Sequence, residues 1–571
     1  MSILVQAANI AYAHGGNQIF DDLSFVIQER ERIALIGDNG SGKSTLFRLL
    51  VRDLTPQAGE VTHRRGLRIG YLRQESDLDP GKTVREVVDL AAGNPEAIEY
   101  TLMEIEEELA TGLDDEAMAR SLDRYTFLLE RLDDARGTDH EARLAEVLGG
   151  LAFPEHRWDQ RIGDLSGGER KLVDVSRFLL DEPDLLLLDE PDNHFDMEAR
   201  AWLEKWLTER FSGAVCMISH DRYMIDRVAT SIHELEHGRI QTYPGNYSAF
   251  LRQKEERLER ELELRELAER EWLKLKASAE ELTQWARQNP KFASRAENQR
   301  RKRDEERARL DAQPMPVLTK RRITLNFDVE RGGTDVIVAE RVSKRYGERT
   351  VLQPFDLLVR HGERVGLTGP NGAGKTTLMR ILLGEEPPTT GRVRLGAGIT
   401  VGYYAQLHET LDPDMTPIEA VRRERSFTEQ QALSFLVGML FDRDDTMNRI
   451  GALSGGERAR LQLAVIMARG ANLLVLDEPT NNLDLASVEI MEAALREFPG
   501  TIITISHDRR FLDTVCTRTL AIDDGVIRDY TGGYSSMVEN PETGTPLTHG
   551  MAHPAAIVKD QNVRRRRKTA V

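Results

Sequence analysis

GDNGSGKST occupies residues 37–45, and GPNGAGKTT occupies 369–377. Both fit G-x-x-x-x-G-K-[ST], the pattern of a loop whose backbone N–H groups curl around a phosphate chain. Glycines permit the curl, and the helix that follows adds positive potential at its N-terminus. Short apolar runs, Arg32–Ile36 (RIALI) and Arg364–Thr368 (RVGLT), lead straight into the loops and read as strands. The expected phosphate contacts are Gly37, Asn39, Gly40, Gly42, Lys43, Ser44 and Thr45 in the first loop. In the second they are Gly369, Asn371, Gly372, Gly374, Lys375, Thr376 and Thr377. Lys43 and Lys375 are expected to reach the β- and γ-phosphates of a nucleotide, and Ser44 and Thr376 to ligate Mg²⁺.

The recurrence extends far beyond these loops. Gln74 in GYLRQ and Gln406 in GYYAQ keep the same offset of 332 residues. LSGGER at 165–170 and 453–458, and the strands ending Asp189-Glu190 and Asp477-Glu478, recur at 288. ISHDR at 218–222 and 505–509 recurs at 287, as do YPGNYS and YTGGYS. The chain is thus a duplication of a unit of about 200 residues. The first copy is expected at 1–250 and the second at 335–540, with a linker over 251–334 and a tail at 541–571. The fall in offset from 332 to 288 places 44 extra residues in the first copy. Helical segments between buried apolar strands predict an α/β fold with a mainly parallel sheet in each copy.

Asp189 and Asp477 end apolar strands, where a carboxylate meets the ligand-binding edge of a parallel sheet. They are expected to join Ser44 and Thr376 around Mg²⁺, while Glu190 and Glu478 polarise the attacking water. In LSGGER, Ser166 and Glu169 form a capping box, as do Ser454 and Glu457. Two glycines weaken a helix start, so Ser166, Gly167 and Gly168, like Ser454, Gly455 and Gly456, make sense as an open helix N-terminus facing an anion. Each copy already has a phosphate receptor in its glycine loop. The second receptor is best explained as serving the other copy's nucleotide, which predicts two sites, each closed by the opposite copy.

Composition narrows the alternatives. A net charge of −18 argues against a protein that coats nucleic acid with its whole surface. No run of about 18 apolar residues exists to cross a membrane, and the N-terminus lacks the features of a signal peptide. Two cysteines, Cys216 and Cys516, support neither a disulfide framework nor a Cys-rich metal site, in keeping with a reducing cytoplasm.

Phosphate loop, Gln loop, LSGG signature, strand ending in DE, D-loop and ISHD, in that order, resemble the ATP-binding-cassette ATPases. The resemblance covers about 450 of the 571 residues and implies two tandem P-loop cassettes that bind and hydrolyse ATP with Mg²⁺. It implies that Gln74 and Gln406 sense Mg²⁺ and the water, and that His220 and His507 contact the γ-phosphate. Asn193–Asp196 and Asn482–Asp484 match D-loops. Two departures stand out. Tyr346 occupies the adenine-stacking position of the second copy, whereas the first has His14 there, with Tyr12 two residues earlier. Asp192 in EPDNHFD replaces the threonine found at Thr480 in EPTNNLD.

Fused cassettes without membrane spans are similar to the ABC-F subfamily of ribosome-associated translation factors and antibiotic-resistance proteins. Leu258, Leu262, Ala268, Trp272, Leu275, Ala279, Leu282 and Ala286 form a helical stripe in the linker, broken at Asn289-Pro290, with a returning helix over 292–312. Residues 283–303 hold seven basic residues and one acid, flanked by Trp285 and Phe292. Such a hairpin tip suits an RNA surface, with Arg287, Lys291 and Arg295 as phosphate contacts. The insertion, near 95–138, reads as a helical arm broken around Gly112–Asp115. The basic tail at 541–571, with RRRRK at 564–568, reads as disordered. The expected protein is a cytoplasmic monomer that partners the ribosome, through ribosomal RNA and tRNA, with no membrane and no DNA. The rival reading is the ATP-hydrolysing subunit of a membrane transporter.

Overall fold

A computed structural model describes residues 2–548 except 75, 111–114, 136–138, 193–194, 290, 292, 313–332, 405–410 and 482. Gln406, Asn193, Asn482, Phe292 and the 564–568 tract therefore lie outside the described residues. The central sheet of the first cassette orders Ile69–Leu72, Leu185–Asp189, Ala214–Ile218, Arg32–Ile36, Ser231–Glu236 and Arg239–Pro244. The first five pair in parallel. The second cassette repeats this with Val401–Tyr404, Leu473–Asp477, Thr501–Ile505, Arg364–Thr368 and Arg518–Asp523, again parallel. Each cassette adds an antiparallel three-stranded sheet, Asn17–Gln28, Ile3–His14 and Ala58–His63 in the first. Leu185–Asp189 is buried throughout, because helices cover both faces of a parallel sheet. Strands that run one way bring their carboxyl ends, and the loops after them, to one edge.

The chain condenses into two units, residues 1–242 with 323–571, and residues 243–322. In the first unit the two cassettes exchange buried arginines. Arg222 donates from Nη1 to Glu492 Oε2 at 3.1 Å, and from Nη2 to Glu492 Oε1 and, at 3.3 Å, to Asp508 Oδ2. Arg509 does the same toward the first cassette, bonding Glu204 and, at 3.2 Å, Asp221 Oδ2. Both guanidiniums are at most 3% exposed. These are equivalent residues of the duplication, so the contacts obey an internal twofold. Tyr223 adds a hydrogen bond from its hydroxyl to Asp513 Oδ2 at 2.7 Å.

Pro95–Ala110 and Asp115–Ala135 form the helical insertion, with Ile98, Leu102, Ile105 and Leu128 buried in a small core of their own. In the second unit one helix runs from Tyr247 to Gln288 and another from Ala293 to Ala312. The first begins earlier than residue 251, because the Asn246 side chain caps it by accepting from Ala249 N at 3.1 Å. Leu258 and Ala279 are buried along its stripe, and Arg307 stacks its guanidinium 5.1 Å from the Trp272 ring centre. Ion pairs one turn apart, such as Arg307–Asp311 at 2.8 Å, line the exposed faces.

The tail expected to be disordered from 541 is ordered at its start. Thr545–Pro546 adds a strand beside Arg528 and Asp529, Leu547 N donates to Ile527 O at 2.8 Å, and the Leu547 side chain joins the core. Backbone pairing and one buried leucine hold residues that composition alone assigns to solvent.

Two glycines of the second loop stand in different surroundings. Gly369 has φ 145°, and a Cβ there would lie 2.3 Å from the Ile522 carbonyl oxygen. Gly372 has φ 76° but nothing within 4 Å of that position. G369A is therefore expected to lower the melting temperature of the protein by several degrees more than G372A, which bears only the left-handed backbone penalty of about 1–2 kcal/mol; equal effects contradict this. Removing one partner of a buried ion pair costs about 3–5 kcal/mol. R222M, which strands Glu492 and Asp508, is expected to lower the apparent Tm by several degrees, and R222M/E492M to recover much of the loss. An unchanged Tm in R222M counts against the clamp.

Candidate functional site

Both glycine loops start where a central strand ends and feed a helix, Lys43–Leu50 or Lys375–Leu383. Gly42 and Gly374 precede these helices in the left-handed region, at φ 102° and 100°. The Lys43 ammonium donates to the carbonyls of Gly37 and Asp38, both at 2.8 Å. Lys375 donates to Gly369 O at 2.8 Å and Pro370 O at 3.0 Å. Each lysine curls back over its own loop. Burial pushes both ammonium groups down, opposed by carboxylates around them. Among those carboxylates are Asp484 for Lys43 and Asp196 for Lys375, each from the opposite cassette.

A cavity of about 430 Å³ brings together Asn39, Gly40, Gly42, Lys43, Ser44, Thr45, Gln74, Glu190 and His220. Its far wall is the second cassette's Thr480, Asn481, Leu483, Val488 and Asp508. A cavity of about 890 Å³ brings together Asn371, Gly372, Gly374, Lys375, Thr376, Thr377, Tyr346, Asp477, Glu478 and His507. Its far wall is the first cassette's Ser166, Gly168, Glu169 and Phe195. The two walls differ. Ser166 and Gly168 share a cavity with Lys375, whereas Ser454, Gly455 and Gly456 do not line the cavity of Lys43. There the D-loop side of the second cassette takes the wall. Gly37, Gly369 and Gly167 line neither cavity; Gly37 and Gly369 sit beneath their loops against the carbonyls of Leu235 and Ile522.

The signature helices start as the capping boxes require. Ser166 N donates to Glu169 Oε2 at 2.9 Å, and Ser454 N to Glu457 Oε2 at 2.7 Å. Arg157 bonds Glu169 as well and holds its carboxyl near 2, well below the usual range. Nothing lies within 4 Å of the Cβ position at Gly167 or Gly455, so both helix starts are open.

Burial pushes the Asp189 carboxyl up to about 6, against a hydrogen bond from Ser44. Its Oδ2 is buried with no hydrogen-bond partner. A hydroxyl beside an orphaned carboxylate oxygen suits a hard cation such as Mg²⁺. Asp477 is likewise pushed up by burial and is bonded by Tyr403.

Glu190 and Glu478 hold backbone φ of 50° and 47°, a region that side chains rarely adopt. Such a conformation costs about 1–3 kcal/mol and persists only where surroundings impose it. Here the next strand imposes it: Glu190 N donates to Ile218 O and Glu478 N to Ile505 O, each at 2.9 Å. The left-handed turn places each carboxylate beside a histidine. His220 Nε2 lies 3.7 Å from Glu190 Oε1, and His507 Nε2 lies 3.5 Å from Glu478 Oε1. His507 N also donates to Glu478 Oε2 at 3.2 Å. Burial pushes the Glu478 carboxyl up to about 7 and the His507 ring down to about 3, so His507 is neutral. Burial lowers His220 too. The arrangement offers a carboxylate to accept a proton from water beside a neutral imidazole.

Sequence reasoning missed two cations near these sites. Lys171 of the first signature helix donates to the carbonyls of Arg73, Gln74 and Asp189, fixing the Gln loop. Arg200 lines both cavities. Their counterparts at the 288-residue offset are Ala459 and Val488, so the signal available was a charge present in one copy alone.

Comparison with known proteins agrees with this geometry. A family profile described as ABC transporter matches residues 20–193 and 352–481, and a second profile of that description matches 233–321. The energy-dependent translational throttle protein EttA of Haemophilus influenzae is 38% identical over 531 residues, covering 91% of this chain and 92% of that protein. The putative ATP-binding protein YdiF of Bacillus subtilis is 33% identical, covering 94% and 83%. Among solved structures, an RNase-L inhibitor superposes with a TM-score of 0.58 at 19% identity, over 97% of this chain and 98% of that one, a likeness of fold. The chain belongs to the ATP-binding-cassette family, in its ABC-F branch, and is an ATPase of two tandem cassettes.

Proposed function

We propose that the chain is a cytosolic switch acting on translation, in which two ATP molecules, each with Mg²⁺, bind between the cassettes and govern association with the ribosome. The observation that carries this reading is the second cavity, where Lys375, Glu478 and His507 face Ser166 and Gly168 of the other cassette. A phosphate chain there is gripped from both sides only while the cassettes are apposed. ATP then favours apposition by the difference in contacts between the two states.

In this reading Ser44 with Asp189, and Thr376 with Asp477, hold Mg²⁺, aided by Gln74 and Gln406. The ion, when bound, neutralises charge developing on the phosphates. Glu190 and Glu478 take the proton of the attacking water, and His220 and His507 orient the terminal phosphate. Loss of that phosphate removes the contact shared across the interface and lets the cassettes part. Tyr346 supplies an aromatic face for adenine at the second site.

Two features support the ribosome as partner. A relative covering nine-tenths of the chain is named a translational throttle. The hairpin turn exposes Arg287, Lys291 and Arg295 in a chain of net charge −18. Exposed cations on a narrow helical tip suit RNA phosphates. The insertion presents acids with exposed Tyr100, Met103, Leu122 and Leu129, a surface suited to protein.

E190Q/E478Q is expected to lose about 100-fold or more of ATPase turnover while sedimenting with ribosomes on a sucrose gradient containing ATP. Free protein at the top of the gradient would remove the ribosome from this reading. R287E/K291E/R295E in that background is expected to shift protein off the ribosome, increasingly so as salt rises; unaltered co-sedimentation contradicts the assigned role of the tip.

A further inference from the structure

The duplication supplies each cassette with the same glycine loop, carboxylates and histidine, and one buried cation that lines both cavities reaches across the interface from the first cassette to the second. Arg200 stands on the helix Met197–Glu209 of the first cassette and is 7% exposed. Its Nε donates to Phe195 O at 3.0 Å, within the stretch that follows the first Asp-Glu pair. Its Nη1 donates to Asp221 Oδ2 at 3.3 Å and, across the interface, to the backbone carbonyl of His507 at 3.3 Å. His507 in turn donates from its own N–H to Glu478 Oε2 at 3.2 Å. One guanidinium thus links the first cassette to the residue whose N–H steadies the strained Glu478.

Among the described residues no matching link runs the other way. The position equivalent to Arg200 in the second cassette is Val488, which has no side-chain donor for the His220 carbonyl. The surroundings of Arg200 are specialised as well. Asp192 stands where the second cassette has Thr480, is buried, and accepts from Ser219 Oγ at 2.9 Å. Asp221, which anchors Arg200, also receives Arg509 of the second cassette at 3.2 Å. Although burial pushes the Asp221 carboxyl up, Arg509 and Arg200 hold it below its ordinary value, so the anchor stays charged.

We propose that Arg200 is a positioning residue that acts in trans, setting the His507–Glu478 geometry of the second ATP site from the first cassette, so that the two sites hydrolyse ATP unequally and the second depends on apposition. The inference rests on the reading that Glu190 and Glu478 each carry hydrolysis at their own site. Arg200 touches no reacting atom. Its bond to the His507 carbonyl fixes the residue whose N–H holds the Glu478 carboxylate, and that bond exists only while the cassettes meet.

The test measures ATPase kinetics of Arg200→Met and Arg200→Lys in two backgrounds, E190Q, which leaves the second site, and E478Q, which leaves the first. A hydrogen bond from a charged donor is worth about 10- to 100-fold. R200M is expected to lower kcat by about that factor in E190Q, with KM for ATP changed less than about twofold, and to lower it several-fold less in E478Q. R200K, which keeps the charge but cannot span all three acceptors, is expected to fall between wild type and R200M in E190Q. Comparing backgrounds separates this role from general destabilisation, which lowers both alike. Equal losses in both backgrounds, no loss in either, or a change in KM alone overturns the proposal. If the single Glu→Gln variants and their double all keep wild-type turnover, the reading of the sites fails, and this inference with it.

Discussion

Two arginines buried in each other's territory set the register of the cassettes. Taking a charge out of water costs several kcal/mol unless good hydrogen bonds replace the lost solvent. Arg222 finds those bonds on Glu492 and Asp508, and Arg509 finds them on Glu204 and Asp221. The carboxylates in these pairs belong to the opposite cassette in each case, so the ion pairs form only when the cassettes meet in one orientation. That orientation puts the open helix start at Ser166 and Gly168 into the cavity of Lys375. It also places Arg200 within reach of His507. Asp221 and Asp508 each directly follow a site histidine in sequence, so the clamp and the pockets share those loops.

The interface is symmetric where it bears load and asymmetric where chemistry occurs. Arg222 and Arg509, Glu204 and Glu492, and Asp221 and Asp508 are pairs related by the duplication. Around the pockets the pairs diverge: His14 against Tyr346, Asp192 against Thr480, Lys171 against Ala459, Arg200 against Val488. The first copy carries buried charge where the second has neutral residues, and the second has an aromatic beside its loop. Buried charges must be matched in position to within a hydrogen bond, so each substitution commits its surroundings. The outcome is two cavities of one ancestry with different far walls.

Much of this was legible in the residues. The glycine loops, the strands ending in Asp-Glu and the capping boxes each pair a local pattern with a single physical requirement. A phosphate loop needs φ values only glycine adopts freely, and a capping box needs Ser and Glu three apart. The linker stripe was legible because one face of a helix must be less exposed than the rest; Leu258 and Ala279 are buried where the spacing puts them. The arginine clamp was not. ISHDR is visible twice, yet a final arginine reads as a surface charge until the opposite cassette supplies Glu492 or Glu204. Arg200 was hidden for the same reason, since its acceptor is a backbone carbonyl 307 residues away. The left-handed backbone of Glu190 and Glu478 was hidden too, because no residue preference announces it. The ordered start of the tail depended on a strand edge that only the folded sheet offers.

In the proposed mechanism the nucleotide of the second glycine loop is also held by the first cassette's signature helix. Vanadate trapped with Mg²⁺ and ADP stands where the terminal phosphate stood, and ultraviolet light then cuts the backbone beside it. Mapping the fragments reads the contacts directly. Two cuts are expected from that site, one within 369–377 and one at Ser166–Gly168. A cut within 369–377 with the chain intact at 166–168, under conditions where the trapped protein is inactive, contradicts it.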